Sequence, residues 1–503
     1  MNRMFSFVKR LSAYRNFDFL LLSSLFFVSV ILRTYLIDKN LFFGPEQGRD
    51  ILVMKDMVIN HKLVLIGPRT AVDGIFHGPL YYYIGVIPFL ISKGNPLFIS
   101  VFFIVVNSLS VFFIYLLGKE LFNRRTGFIA SLIFTLSFES IVMSRWLSHP
   151  PLIIPISCLF FLFLAKFLKG KNIYLIPTAL FFGFSSQVES PNLLVFGFIL
   201  IFVALLFRKR FLTQKKGILF LSLIILIVTS FGNFVLFDLR HNFLITGNIF
   251  KLLSGKSGYF ASFLNSFISS VTNFVNIFSD SITPQYPVIA IAMLIFGTLI
   301  LFKKRLTNKV GSYLLLIWLA SPLIAFIVLK YNPLYHYFTV VLIGGVILTS
   351  VLVDAILSSK KLPGVIFVSL LIFLNLYSWV KYLPTNQNVF FQTTQPELKY
   401  SDQVMVIDGI YKRAAGKEFY FQSYTIPYWL QDEWKYLFWY YGKNKYGYIP
   451  VNERAKTLFV IIQDDPSNMQ FQNDWLKNTV SKWGEKTDEF RSGALKVEKI
   501  NVK

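Results

Sequence analysis

The stretch HGPLYYYIGVIPFLI (residues 77–91) decides the fold of this chain, because the membrane topology turns on whether it crosses or lies flat. At roughly 15 residues, the apolar run 78–92 is short for a helical span. Charge on the other loops settles the matter. Lysines and arginines collect in the N-terminal tail (Arg3, Lys9, Arg10, Arg15), at 118–125 (Lys119, Arg124, Arg125), at 166–171 (Lys166, Lys169, Lys171) and at 208–216 (Arg208, Lys209, Arg210, Lys215, Lys216). Further clusters are Lys303, Lys304, Arg305 and Lys309, then Lys360 and Lys361. Short cytoplasmic loops carry the excess of basic residues. With 78–92 lying in the interface, every cluster falls on that side; with 78–92 crossing, all but the first move outside. The expected topology has eleven spans, near 18–37, 96–117, 126–144, 151–168, 173–188, 192–207, 217–237, 287–302, 312–330, 336–355 and 364–382, with the N-terminus cytoplasmic and the C-terminus outside.

Composition agrees. The 503 residues are 54% hydrophobic and 18% aromatic, and only 15% are charged. With a mean hydropathy of +0.57, this is the profile of a polytopic α-helical membrane protein. The net charge of +24 invites a nucleic-acid partner, but the orienting loops account for it, so none is expected. The one cysteine, Cys158, lies in an apolar run, and disulfides contribute nothing. No HExxH, CxxC pair, phosphate loop or internal repeat is present.

This topology sorts the polar residues. All five histidines (His61, His77, His149, His241, His336) fall in outer loops or at outer helix ends, together with Glu46, Asp50, Glu139 and Glu189. The first outer loop, 38–95, holds FFGPEQGRD (residues 42–50) directly after the first span. A carboxylate there, partly desolvated at the membrane surface, is suited to general-base work; a local ion pair between Glu46 and Arg49 is the structural alternative. In 78–92 the tyrosines, Tyr81 among them, anchor at headgroup depth, whereas His77 has no anchoring role. Four corners at later span ends, SRWLSHPP (144–151), SQVESPN (186–192), DLRHNF (238–243) and KYNPLYHYF (330–338), bring His149, Glu189, Arg240, His241, His336 and Tyr337 to the same face. Arginine and histidine there can hold a phosphate by charge-assisted hydrogen bonds, or simply contact headgroups. From about residue 383 the apolar runs shorten into EFYFQSY and TLFVIIQDD, which read as strands, and SDQVMVIDGIYKRAAG and QDEWKYLFWYYGK, which read as helices. Residues 383–503 are therefore expected to form a small outer α/β domain after a membrane domain of residues 1–382.

At this point the pattern resembles the GT-C membrane glycosyltransferases, in particular the bacterial relatives of the protein O-mannosyltransferases (family 39) and of the lipid A aminoarabinose transferase. The resemblance covers residues 1–382 as a layout, and its literal motifs are short. The family's first-loop acidic pair, followed two residues on by arginine, matches Glu46-Gln47 and Arg49. Its His/Lys-Pro-Pro-Leu segment matches His77-Gly78-Pro79-Leu80. The departures are an amide, Gln47, in place of the second acid, and Gly78 in place of the first proline. The resemblance implies transfer of a hexosyl or pentosyl group from a polyprenyl-phosphate donor to a protein, lipid or glycan acceptor at the outer face of the cell membrane, with inversion. Glu46 would be the base, with Asp50 as the second acid. Arg49, His77, Tyr81, His149, Glu189, Arg240, His241, His336 and Tyr337 would hold the substrates. The cofactor stays open between none and a divalent cation. The competing class is a lipid-linked saccharide flippase or transporter, which calls for ionisable residues at mid-membrane and for internal repeats; here the charges sit at the rim.

Overall fold

The computed structural model describes residues 2–254, 261–383, 398–426, 430–453 and 455–502. Among them, eight helices are long and apolar enough to cross a membrane: Asn16–Thr34, Pro96–Leu121, Pro150–Leu168, Lys216–Arg240, Pro287–Lys304, Lys309–Val328, Tyr335–Ser359 and Lys361–Tyr382. Arg124–Leu136 and Phe138–Arg145 make a ninth, bent by 59°. The other two expected spans fall on the shorter helices Leu175–Val188, of 14 residues, and Asn192–Leu206, of 15, neither of which is long enough to count among the crossing helices. A further helix, Phe263–Ile282, was not expected as a span. Its serines and asparagines break the apolar run, and it buries one stripe through Ser266, Ser270, Phe274, Ile277 and Phe278.

The deciding stretch forms a 13-residue helix, Leu80–Ser92. At 1.5 Å per residue it is about 20 Å long, against about 30 Å of hydrocarbon. Tyr83, Ile87, Leu90 and Ile91 make one exposed apolar face. The basic loops meet at one end of the bundle. Arg124 pairs with Asp18, Arg125 lies 3.5 Å from Asp354, Lys169 lies 3.4 Å from Glu120, and Arg210 donates to the Phe167 carbonyl. Asn308 donates to the Leu121 carbonyl, joining the 303–309 loop to the same end.

The bend in the broken span has a specific cause. The helix stops at Ser137, whose backbone is extended. Arg33, fully buried in the first span, donates to the freed Phe134 and Thr135 carbonyls at 3.2 Å and to the Ser140 hydroxyl at 2.8 Å. A cation on the carbonyl end of a helix satisfies orphan acceptors and complements the dipole, so Arg33 needs no carboxylate. Arg145 returns the tie, donating to the Arg33 and Tyr35 carbonyls at 2.8 Å.

Near the C-terminus, β1 (Tyr420–Tyr424), β2 (Thr457–Gln463), β3 (Gly484–Ser492) and β4 (Leu495–Val502) form one sheet in the order β1-β2-β4-β3, with β1 and β2 parallel and the other pairs antiparallel. Helices Tyr400–Ala414 and Met469–Asn478 flank it. The segment leading into the sheet region is stitched to the first outer loop by two main-chain bonds and one from the Gln403 side chain. Tyr400 N–H donates to the Leu41 carbonyl at 2.9 Å, Phe43 N–H to the Leu398 carbonyl at 3.3 Å, and the Gln403 amide to the Phe43 carbonyl at 2.8 Å.

Candidate active site

FFGPEQGRD becomes the start of the helix Pro45–Ile59. Pro45 occupies its first turn, where a missing N–H costs nothing, and Gln47 closes the cap by accepting from Gly44 N–H at 3.0 Å. The other half of that amide donates to the Leu147 carbonyl at 3.2 Å. The residue standing in the family's second acidic position is thus a buried strut. Gly48 is required by a close approach: a Cβ there would collide with the backbone of Asp432 and Glu433.

Glu46 projects from the first turn and is exposed. Asp50, one turn on, is buried and accepts from Arg49, with a contact of 2.8 Å, and from the Tyr82 hydroxyl at 2.9 Å. Burial pushes its carboxyl up to about 6, against the pull of Arg49. The ion pair is therefore between Arg49 and Asp50, and Glu46 keeps its carboxylate free of it. Tyr81 is fully buried, and its hydroxyl has no partner among the described residues.

His77 is placed by a two-stranded turn in which Gly67 N–H donates to the His77 carbonyl and His77 N–H to the Pro68 carbonyl. Ser190 N–H then donates to its Nδ1 at 2.9 Å. With Nδ1 accepting, Nε2 carries the proton of the neutral ring. The departure from proline at Gly78 has a reason here, since a Cβ would strike the Gln187 side chain, which is fixed by bonds to Asn233 and the Ser230 carbonyl. His149 comes from the corner after the bent span, with its ring 4.5 Å from that of His77. Glu189, just past helix Leu175–Val188, lies 3.0 Å from His149 Nε2 and 3.9 Å from His336 Nε2. Burial lowers His77 and His149 to about 3 and raises Glu189, which His77 and His336 partly offset. The first-loop helix adjoins the histidine cluster through Gln47, bonded to the Leu147 carbonyl two residues before His149, and helix Leu80–Ser92 adjoins it through Tyr81, whose ring centre is 6.2 Å from that of His149.

Other residues lie elsewhere. Arg240 and His241 are exposed, and His241 stacks on Phe237 outside the cluster. His61 is exposed as well. Tyr337 is buried beside His336. Glu139 shares the Tyr335 hydroxyl with Asp280, at 3.0 and 3.1 Å. Sequence reasoning missed Tyr82, Ser190 and Asp280; only Tyr82, in the triple tyrosine, left a visible signal. Beside the cluster is a cavity of about 260 Å³, mostly apolar, lined by Phe76, Ser190, Leu193, Phe231, Val235 and Ile245 among others.

Residues 76–232 match the family model described as dolichyl-phosphate-mannose-protein mannosyltransferase. That segment contains His77, His149 and Glu189. No curated sequence matches the chain. Among solved structures, it is similar to ArnT from Cupriavidus metallidurans bound to undecaprenyl phosphate, with a TM-score of 0.59 at 10% identity, covering 96% of this chain and 98% of that one. The apo form of the same protein gives 0.58 at 11% identity over 97% and 98%. The oligosaccharyltransferase of Archaeoglobus fulgidus tethered to an acceptor peptide gives 0.52 at 12% identity, over 83% of this chain and 62% of that one. The chain is a polytopic membrane protein with the GT-C fold and a small C-terminal sheet region, and it resembles the GT-C glycosyltransferases over nearly its whole length.

Proposed function

We propose that this protein is a glycosyltransferase that moves a sugar from a polyprenyl-phosphate donor to an acceptor hydroxyl at the outer face of the cell membrane. The observation that carries the reading is the meeting of an exposed carboxylate, an arginine and a buried histidine–glutamate cluster at the wall of an apolar cavity. Ser190 belongs to both: its side chain and backbone bond Phe76 and His77, and it lines the cavity. A donor of this class is amphipathic, and the juxtaposition offers an apolar surface for its lipid and hydrogen-bond donors for its phosphate. Of the similar structures, one has undecaprenyl phosphate bound and one carries a tethered acceptor peptide, which supports the same donor and acceptor types.

In this reading Glu46 removes the acceptor proton as the hydroxyl attacks the anomeric carbon, and the lipid phosphate leaves from the opposite face, inverting that centre. Asp50 holds Arg49, and Arg49 with the His77 Nε2–H stabilises the departing phosphate. The transferred group is a hexose or pentose, and the acceptor a protein, lipid or glycan.

His77, His149 and Glu189 offer ligand atoms within 4.8 Å of one another. Two atoms that each lie about 2.1 Å from one ion can be at most about 4.2 Å apart. His149 Nε2 and His336 Nε2 meet that limit toward Glu189, whereas His77 has its Nε2 protonated and fits better as a hydrogen-bond donor. Neither His149 Nε2 nor either Glu189 oxygen has a hydrogen-bond partner among the described residues, although two of these atoms are 3.0 Å apart. The close contact between His149 Nε2 and the buried carboxylate is closed either by a proton on Nε2 or by a cation bound to both. His149 and Glu189 are therefore the residues that would hold a divalent cation, whose charge would offset that of the donor phosphate.

The deciding experiment is incubation of the purified protein with a panel of polyprenyl-phosphate sugars, scored for released lipid phosphate. Release with one or more sugars is expected. A panel without release, tested with acceptor-rich membrane extract present, would overturn the reading.

A further inference from the structure

At the far end of helix Leu80–Ser92 from His77 lies a second cavity, of about 420 Å³. Three separate segments wall it: Val58 and Ile59 at the end of the first-loop helix, Phe89, Leu90 and Lys93 at the end of the flat helix, and Trp439, Lys443 and Asn444 from the C-terminal region. The walls are fixed to each other. Tyr436 donates to the Gly94 carbonyl, and the Phe89 ring stacks on Trp439 at 6.4 Å. Lys93 sits in a left-handed conformation with φ 53°, a backbone state that bulky residues seldom adopt, followed by Gly94 at φ 89°.

The charge is one-sided. Lys93 and Lys443 are exposed and form no ion pair among the described residues, and no carboxylate lines the cavity. A third ammonium, Lys55, lies over the Trp439 ring at 5.0 Å, with its own carboxylate neighbour, Asp56, at 4.0 Å. Next to this cationic mouth runs the exposed apolar face of Tyr83, Ile87, Leu90 and Ile91. Leu90 belongs to both surfaces.

From this juxtaposition we propose that the cavity binds the phosphate headgroup of an anionic membrane lipid, with Lys93 and Lys443 on the phosphate and the acyl chains along Leu90 and Ile91. Charge complementarity selects an anion, and the adjoining apolar face selects a lipid over a free one. Because its walls come from both the flat helix and the C-terminal region, the bound lipid bridges the two. The inference is independent of the transferase reading, since it uses none of the residues assigned to catalysis.

The test is native mass spectrometry of the full chain in detergent, titrated with phosphatidylglycerol, phosphatidylcholine and inorganic phosphate. Each lysine at a membrane surface contributes about fivefold in affinity toward an anionic lipid, so K93Q and K443Q together should weaken phosphatidylglycerol binding about 25-fold. K417Q, an exposed lysine outside the cavity wall, should leave it unchanged, and the double variant's unaltered melting temperature serves as the folding control. Equal binding of the double variant and the unaltered chain, equal retention of phosphatidylcholine, or displacement of the lipid by millimolar inorganic phosphate would each overturn the proposal. Should the double variant fail to fold, charge reversal at Lys93 alone (K93E) is read the same way.

Discussion

The Tyr82 hydroxyl donates to the Asp50 carboxylate at 2.9 Å, joining the helix that carries the acids to the short helix Leu80–Ser92. Asp50 has burial against it and these two donors, Arg49 and Tyr82, for it. Its carboxyl, pushed up to about 6, is ionised above that pH and holds Arg49; below it the proton goes on and the arginine is released. Activity should therefore decline on the acid side near pH 6. Tyr82→Phe removes one donor to the ionised form, worth about 1.5–3 kcal/mol, and should move that limb upward by about one to two pH units. The pH–rate profiles of Tyr82→Phe and Asp50→Asn check this: the first keeps a displaced limb and the second loses it.

Glu46→Gln keeps the shape of the first turn and removes the base. Turnover should fall about 10²- to 10⁴-fold while the donor Kd stays within about twofold. Single-turnover assays beside donor titration separate the two quantities. Near-normal turnover would shift the role of base to Asp50.

Gln47 is asked to accept from Gly44 and to donate to Leu147 at once, which only an amide does. Gln47→Glu, restoring the acid seen in the family, should lower stability by about 1–3 kcal/mol at neutral pH, because a carboxylate then faces the Leu147 carbonyl. Acidification re-protonates the new side chain and should return part of the loss. Melting temperatures at pH 5 and 8 measure both effects.

Divalent cation content gives a direct reading of the histidine–glutamate cluster. Protein purified without chelator should carry about one equivalent of a transition metal, and Glu189→Gln or His149→Ala should each lose most of it. His77→Gln should keep it, since His77 acts as a donor in the tautomer fixed by Ser190. Elemental analysis decides, and metal retained in Glu189→Gln would remove the site.

Cysteines placed at Phe122 and Thr213, in a Cys158→Ala background, test the orientation. Both belong to the basic end of the bundle and should resist an impermeant thiol reagent in intact cells. Labelling of both from outside would reverse the topology.

Much of this was legible in one dimension. The basic clusters predict one end of the bundle, and the structure brings those at 118–125, 166–171, 208–216 and 303–309 together there, with the run at 78–92 forming a helix of only 13 residues. Of the residues singled out in the sequence, the structure pairs Arg49 with Asp50 and groups His77, His149 and His336 around Glu189, with Glu46 exposed on the first-loop helix. Arg240 and His241 shared their composition and corner position but sit on the exposed end of a helix, a difference in direction that no local pattern encodes. The Gln47 strut, the Ser190 backbone bond and the Arg33 clamp were invisible for a related reason: each joins residues about 100 or more positions apart and leaves no periodicity. Phe263–Ile282 was missed because it buries a polar stripe, which a hydropathy window averages away.

The bonds from Leu398, Tyr400 and Gln403 to the backbone of Leu41 and Phe43 have a consequence for how the protein is made. The acidic helix begins two residues after Phe43, yet the segment that fixes its entry lies more than 350 positions later. A ribosome that has finished every span has therefore produced a chain whose histidine corners can assemble while its first loop is still untethered. A chain terminated before residue 398 would therefore carry all its apolar helices while the entry to the acidic helix stayed untethered.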